Sequence, residues 1–239
     1  MNLRTTYEHL KRIATFFARS VLKPKVVQIH NKKIIMDYRG WSPEMIKIFF
    51  WDNYELEERT IVPAILRPGD RVLEIGSPVG FIGMLASDIV GTENVFMVEA
   101  NPELIKAARR NLELNNVSAH LIHGAVVPNA STESIPFHIH ENFWSSSLGQ
   151  KDGTKQTLDV TALPLPDLIE RHQPNVLIID IEGAEYDLLT QLSFPEIDKI
   201  CVEVHARYIG DEKISALIRH LILDGFDLVQ SISTGDNLY

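Results

Sequence analysis

The spacing of apolar residues changes period along this chain. Leu3, Tyr7, Leu10, Ala14, Phe17 and Val21 recur at intervals of three and four, the signature of one helical face. Arg4, Lys11, Arg12 and Arg19 fall on other faces, and Lys23-Pro24-Lys25 ends the helix. Two short runs, Val26–Ile29 and Lys33–Asp37, meet at His30-Asn31-Lys32 and predict a hairpin. A helix around Tyr54–Leu66 leads into Arg67-Pro68-Gly69-Asp70, a turn. From there strands and helices alternate. Strand 71–75 precedes helix 80–90, strand 95–99 precedes helix 102–115, and a strand follows at about 119–122. The segment 124–164 breaks this rhythm. PFHIH (136–140) and TLDVTAL (157–163) predict two strands of an insert, flanking the polar stretch FWSSSLGQKDGTK. The pattern resumes with helix 166–172, strand 176–180, helix 184–192, strand 199–204, helix 211–224 and strand 226–232. Asn237-Leu238-Tyr239 looks like the start of a final antiparallel strand, so that the C-terminus reads as truncated or that strand as very short. This alternation predicts an α/β fold with a mostly parallel central sheet and helices on both faces. It divides the chain into an N-terminal extension, 1–60, and an α/β domain, 61–239.

Composition narrows the class. Apolar residues make up 45% and charged residues 23% of the 239 positions, ordinary for a globular domain. Eighteen consecutive apolar residues occur nowhere, and residues 1–25 carry basic residues throughout without an apolar core segment, so neither a spanning helix nor a signal peptide is expected. The expected compartment is the cytoplasm. The single cysteine, Cys201, lies in the run KICVEV and reads as a buried strand residue. Residues 1–33 hold eight Lys/Arg against one Glu, and the remainder 15 Lys/Arg against 31 Asp/Glu. An acidic body argues against a nucleic-acid partner. The basic N-terminal helix has two readings. It packs on its own domain or on a twin subunit, giving a homodimer, or it lies peripherally on an anionic membrane surface.

The strongest local signal is VLEIGSPVGFIG at 72–83, followed nineteen residues after Gly80 by Glu99 in VFMVEANP. An apolar strand ends in Glu74, glycines follow at 76 and 80, a helix begins, and a second strand ends in a second acid. This is the layout of a βαβ unit that binds a nucleoside. Gly76 is expected to allow a tight turn and close approach to a ligand, and Gly80 close helix–strand packing. Glu99 is placed to accept hydrogen bonds from ribose hydroxyls. Two cofactors fit this unit. Glu74 disfavours a nicotinamide dinucleotide, whose pyrophosphate it would repel, and the Tyr-x-x-x-Lys pair of short-chain dehydrogenases is absent downstream. S-adenosylmethionine carries a sulfonium and an ammonium and welcomes acids.

Ligands of open α/β sheets bind at the carboxyl ends of the strands. After the third strand come His123, Gly124, Ala125 and Val126. NVLIIDIEGAEYDLL offers Asp180, Glu182 and Glu185, and VEVHA offers Glu203 and His205. Strand alternation puts Asp180 and Glu182 on one side, and likewise Glu203 and His205. Methyl transfer to a hydroxyl needs in-line approach and a base. His205 has the best unperturbed pKa for that base. Asp180 and Glu182 are candidates to bind the acceptor, to assist the base, or to hold a divalent ion. The plainer readings are that Asp180 caps the next helix, that Glu185 answers its dipole, and that His205 is structural. No Cys/His metal-ligand spacing occurs, His138 and His140 share a strand face without a third ligand, and no metal is assigned. Trp144 with Ser145–Ser147 reads as a substrate-facing loop or as an ordinary polar turn.

VLEIGSPVGF, VEANPELIKAARRNLELNN, Ser146-Ser147-Leu148, IIDIEGAEYDLL and VEVH occur in the order seen in FkbM-type methyltransferases, which the chain resembles over roughly residues 26–238. The resemblance implies a Rossmann-like class I methyltransferase fold, S-adenosylmethionine as cofactor, and O-methylation of a sugar, glycolipid or secondary-metabolite hydroxyl. By position it implies that Glu74, Gly76, Ser77 and Gly80 line the methionine and ribose side, that Glu99 holds the ribose with Ala100 and Asn101 beside it, and that Ala125 and Val126 border the adenine. It sets Asp180 against the sulfonium and the acceptor; Glu182 and His205 join it in the catalytic group on the strand-end reading above. The turn departs from the family's usual Gly-Ala-Asn-x-Gly, reading Gly76-Ser77-Pro78-Val79-Gly80. That departure and the short C-terminus motivate the alternative of a cofactor-binding module without methyl transfer; a nicotinamide oxidoreductase is the third reading.

Overall fold

The computed structural model describes residues 3–129, 132–140, 148 and 154–239, with side chains from residue 10 onward. The chain opens with α1 (Leu3–Leu22) and the hairpin β1 (Val26–Ile29) and β2 (Lys32–Ile35). Their alternating burial turns Val27, Ile29 and Ile34 inward. Two short helices follow, α2 (Pro43–Trp51) and α3 (Glu58–Ile65). The single helix expected over 54–66 is therefore shorter, and α2 precedes it. Ser42 caps α2 through its hydroxyl, which accepts from the Met45 amide, and Pro43 fills the first turn, where no amide donor is needed.

The α/β unit runs β3 (Val72–Ile75), α4 (Phe81–Val90), β4 (Val95–Glu99), α5 (Pro102–Leu114) and β5 (His120–His123). Then come β6 (Ala125–Val127), β7 (Ser134–His140), β8 (Thr154–Pro164), α6 (Leu165–His172), β9 (Val176–Ile179), α7 (Glu185–Thr190), β10 (Lys199–Glu203), α8 (Ala206–Leu223) and β11 (Asn237–Leu238). The central sheet has the order β11-β10-β9-β3-β4-β5, all parallel except β11. β3, β4 and β9 are buried at every position, as a sheet covered on both faces requires. Alternate residues feed two cores. Val72, Met97, Ile178 and Cys201 pack beneath the hairpin and α2–α4, while Leu73, Val98, Ile179 and Val202 pack against α6–α8. Met45, Phe49 and Ile61 belong to the first of these cores, so residues 26–65 fold onto the sheet rather than apart from it.

Three expectations need correction. Residues 226–232 form no strand. Leu228 and Val229 stay exposed there, and the sheet edge is taken instead by Asn237–Leu238 paired to Glu203–Val202. After the third strand comes an extra strand, β6 (Ala125–Val127), in a small three-stranded sheet ordered β6-β8-β7. The helix expected from 211 starts at Ala206, with Gly210 at φ 80 joining two helical pieces.

From Leu10 onward the apolar stripe of α1 faces away from the domain. Leu10, Phe17 and Val21 are 60%, 61% and 80% exposed. Other residues hold the helix. Phe16 stacks on Trp51 at 4.2 Å between ring centroids, Arg19 donates to the carbonyls of Phe49 and Gln28, and Arg12 donates to Asn53. Packing of that stripe on its own domain is thus not what the fold does. Among the described residues no helix is long and apolar enough to cross a membrane.

Candidate active site

The sheet reverses its direction of growth between β3 and β9. In such folds the crevice at the carboxyl ends of those strands receives ligands. Here their ends almost touch. A Cβ on Gly76, at φ +89, would lie 1.8 Å from the Asp180 carbonyl oxygen. Gly76 therefore serves the approach of two strand ends as much as that of a ligand. Three backbone bonds tie the floor together: Gly76 donates to Val98, Gly124 to Glu99, and Asp180 to Ile75.

Above this floor lies a cavity of about 300 Å³. Gly76, Pro78, Glu99, Ala100, Ala125 and Val126 line one side, and Asp180, Glu182, Glu203 and His205 the other. Sequence-expected residues from five strand ends thus meet in one cleft. Four others stand outside its lining. Ser77 is fully buried. Gly80 opens α4 at φ +75, with its hydrogen side against Met97 and Ala108. Asn101 caps α5, its side chain accepting from the Glu103 amide and its own amide donating to Glu99 at 2.7 Å. Glu74 sits below the Gly76 turn in a small adjoining cavity of about 20 Å³, with one carboxylate oxygen unpartnered. These four shape the site from behind. Trp144 and Ser145–Ser147 lie outside the described residues, and His138 is engaged with Thr157.

Sequence reading missed the segment between α2 and α3. Tyr54, Glu55 and Glu58 wall the cleft opposite β10, and Arg207 lines its rim. Glu55, Glu57 and Glu58 look like the solvated first turn of a helix, so nothing local marks them as cleft residues. Backbone strain is one marker the structure supplies. Glu55 and Glu182 occupy left-handed backbone at φ 46 and 54, uncommon for residues with a side chain and often found at functional sites.

Burial governs the electrostatics. It raises Glu55, Glu58, Glu74 and Glu203 to about 8. Burial also raises Glu99, but amides of Asn101, Ala100 and Ser77 pull against it and hold it at about 7. Asp180 is pushed well up by burial and then by the charge of Glu203. Burial pulls the His205 imidazole down, yet hydrogen-bonding Glu182 and Glu185 and the charge of Asp180 outweigh it and lift His205 to about 11. His205 Nδ1 meets Glu185 Oε1 at 2.6 Å, and Glu185 also accepts from the Gly183 amide. The α7 N-cap is Ala184, so Asp180 does not cap that helix.

One consequence is testable in the ligand-free protein. Glu74 is near 4.5 when unfolded and about 8 when folded. Its neutral form suits the fold at low pH, and stability is lost as pH rises from the first value through the second. Glu74→Gln should therefore melt close to wild type at pH 5 but of order 5 °C higher at pH 8.5, as followed by circular dichroism. A gain of equal size at both pH values would overturn this account of Glu74.

Several known proteins are similar to this chain. A methyltransferase from Pyrococcus furiosus is 14% identical, with 92% of this chain and 89% of that one covered at a TM-score of 0.47. An O-methyltransferase from Bacillus cereus, solved with S-adenosylhomocysteine, is 13% identical over 71% and 68% of the two chains at a TM-score of 0.40. A protein-L-isoaspartate O-methyltransferase from Methanothrix thermoacetophila is 45% identical over 49 residues, so the chain spans only 23% of that relative's length. The FkbM methyltransferase domain model matches residues 74–227, from the acid closing β3 to beyond α8. With more than half its length inside that match, the chain belongs to the FkbM methyltransferase family.

Proposed function

We propose that this protein transfers a methyl group from S-adenosylmethionine to a hydroxyl of a small-molecule or glycan acceptor, with Asp180 receiving the hydroxyl proton. S-adenosylmethionine is the cofactor of the family to which the chain belongs. The residues present suit it. Glu99 offers a carboxylate for the ribose, Ala125, Val126 and Phe137 offer an apolar wall, and the acids of the cleft complement two positive charges. When bound, the cofactor supplies an electrophilic methyl group on a sulfonium.

The observation that carries the reading is the position of Asp180. It stands at the switch point between the cofactor side and the acid-rich side, and its Oδ1 is buried without a hydrogen-bond partner. An unsatisfied buried carboxylate oxygen is costly unless a ligand completes it. An acceptor hydroxyl there would donate to Asp180, be aligned for in-line attack, and lose its proton to the carboxylate as the new carbon–oxygen bond forms. His205, lifted to about 11, is charged at neutral pH and is better suited to stabilise that carboxylate than to act as the base. Glu74, raised to about 8 and buried beneath the turn, is largely neutral at pH 7. The case against a dinucleotide therefore rests on the family, whose cofactor is S-adenosylmethionine.

The first test is calorimetric titration of S-adenosylmethionine. Wild type should bind saturably, and Glu99→Gln should weaken binding about 10- to 100-fold, the worth of one or two hydrogen bonds to a charged group. Undiminished binding by the variant would remove Glu99 from the site. Release of S-adenosylhomocysteine with hydroxylated glycans and small molecules tests the transfer. Tight cofactor binding without product on any of them would favour a non-catalytic binding module.

A further inference from the structure

The acid-rich side of the cleft has a geometry that the methyl-transfer reading alone does not use. His205 is 6% exposed. Its Nδ1 is committed to Glu185, itself fully buried. That carboxylate–histidine bond orients the ring and aims Nε2 at three carboxylates. The distances are 3.5 Å to Glu182 Oε1, 3.6 Å to Asp180 Oδ1 and 3.7 Å to Glu203 Oε1. All exceed the roughly 2.7–2.9 Å of a charge-assisted hydrogen bond. One ligand atom each from Asp180, Glu203 and His205 lies within 4.8 Å of the other two. Octahedral ligands about 2.1 Å from an ion lie about 3 Å apart when adjacent and about 4.2 Å apart when opposite, so the set closes on an ion with small side-chain movements. A second, independent sign comes from Glu58. It is 4% exposed, its Oε1 has no partner, and it packs with Glu55 against Glu203. Facing these acids, Arg207 reaches Glu182 at 3.5 Å from a side chain that is 61% exposed.

We infer that Asp180, Glu203 and His205 form a divalent-cation site of the Mg²⁺ or Mn²⁺ class on the acceptor side of the cleft. Two carboxylate oxygens and one imidazole nitrogen suit those ions, and three protein ligands leave positions open for water or for an acceptor oxygen. The Asp180 and Glu203 side chains, 24% and 26% exposed, leave the site open to the cleft. Cation and proton compete for Nε2, so loading releases a proton. The inference rests on the proposed acceptor pocket for its purpose but not for its measurement. An ion there would hold an acceptor hydroxyl and lower its pKa.

The test is Mn²⁺ titrated into the chelator-treated protein, with free Mn²⁺ read by electron paramagnetic resonance. We expect one saturable Mn²⁺ per chain, displaced by Mg²⁺. Glu203→Gln and His205→Gln should each weaken it by at least about 10-fold, while Glu99→Gln on the cofactor side leaves it unchanged. Thermal melting of each variant separates ligand loss from unfolding, and two different ligand variants guard against one failing to fold. Absence of saturable binding in wild type, or equal binding in both folded ligand variants, overturns the site. S-adenosylmethionine binding is measured in parallel. Cofactor binding without Mn²⁺ binding rejects the cation site and leaves methyl transfer standing; Mn²⁺ binding without cofactor binding does the reverse.

Discussion

Gly76→Ala is expected to yield a protein that melts at least about 10 °C below wild type or fails to accumulate in soluble form. Two costs coincide at this position. The backbone sits at φ +89, where a side chain is strained, and the added Cβ would stand 1.8 Å from the Asp180 carbonyl oxygen. That neighbour is backbone at the end of β9, held by the Asp180 amide bond to Ile75 at 2.9 Å, so it cannot swing aside as a side-chain tip would. Relief requires parting β3 from β9, the two central strands. The cost should exceed about 4 kcal/mol, in the range kept for severe core or backbone disruption. Gly80→Ala is the control. Its Cβ would meet the flexible tip of Met97 at 3.1 Å, at φ +75, and should cost about 1–2 kcal/mol for left-handed backbone alone. Thermal denaturation of the pair checks the account. Equal melting points would show that the strand ends are not in the contact described.

Asp180→Asn should lower the rate of methyl transfer about 1,000-fold, within the range for loss of a positioned acid–base group. The substitution keeps shape and volume and removes the charge and the proton site. Asp180 Oδ1 is the buried carboxylate oxygen at the switch point that lacks a hydrogen-bond partner. His205 is raised to about 11, and Glu182 interacts with both His205 and Arg207. The readout is single-turnover release of S-adenosylhomocysteine on an acceptor identified by the glycan and small-molecule survey, with cofactor affinity measured separately. A variant that binds cofactor and turns over at near wild-type rate would exclude Asp180 as the proton acceptor.

Much of this site was legible because its residues are tied to strand ends. The run VLEIGSPVG, Glu99 nineteen residues past Gly80, and Asp180-Ile-Glu-Gly each combine an apolar strand with an abrupt polar or glycine stop. A parallel sheet brings all such stops to one edge. Glu55 and Glu58 escaped because their role depends on how α2 and α3 pack over β10, and an acid run before a helix looks the same in solvent. Ser77 and Asn101 were expected on the cofactor for their place in the motif. Burial and a helix cap claim them instead. The N-terminal stripe was correctly read as one face of a helix, but its direction was not. Arg12, Phe16 and Arg19 anchor the opposite face, and side-chain hydrogen bonds to backbone carbonyls leave no periodic trace in polarity.

The amino-acid sequence by itself determined the α/β alternation, the glycine turn after β3 and the set of acids at the strand ends. These rest on local rules: period, glycine at special backbone angles, and the polarity change where a buried strand meets the crevice. Tertiary structure alone decided which acids share one cavity, that Glu185 aims the His205 ring, that Glu74 lies beneath the turn, and that 226–232 adds no strand to the sheet. Those outcomes depend on contacts between residues far apart in the chain, and on burial, which sets the ionisation of each acid through its surroundings rather than its identity.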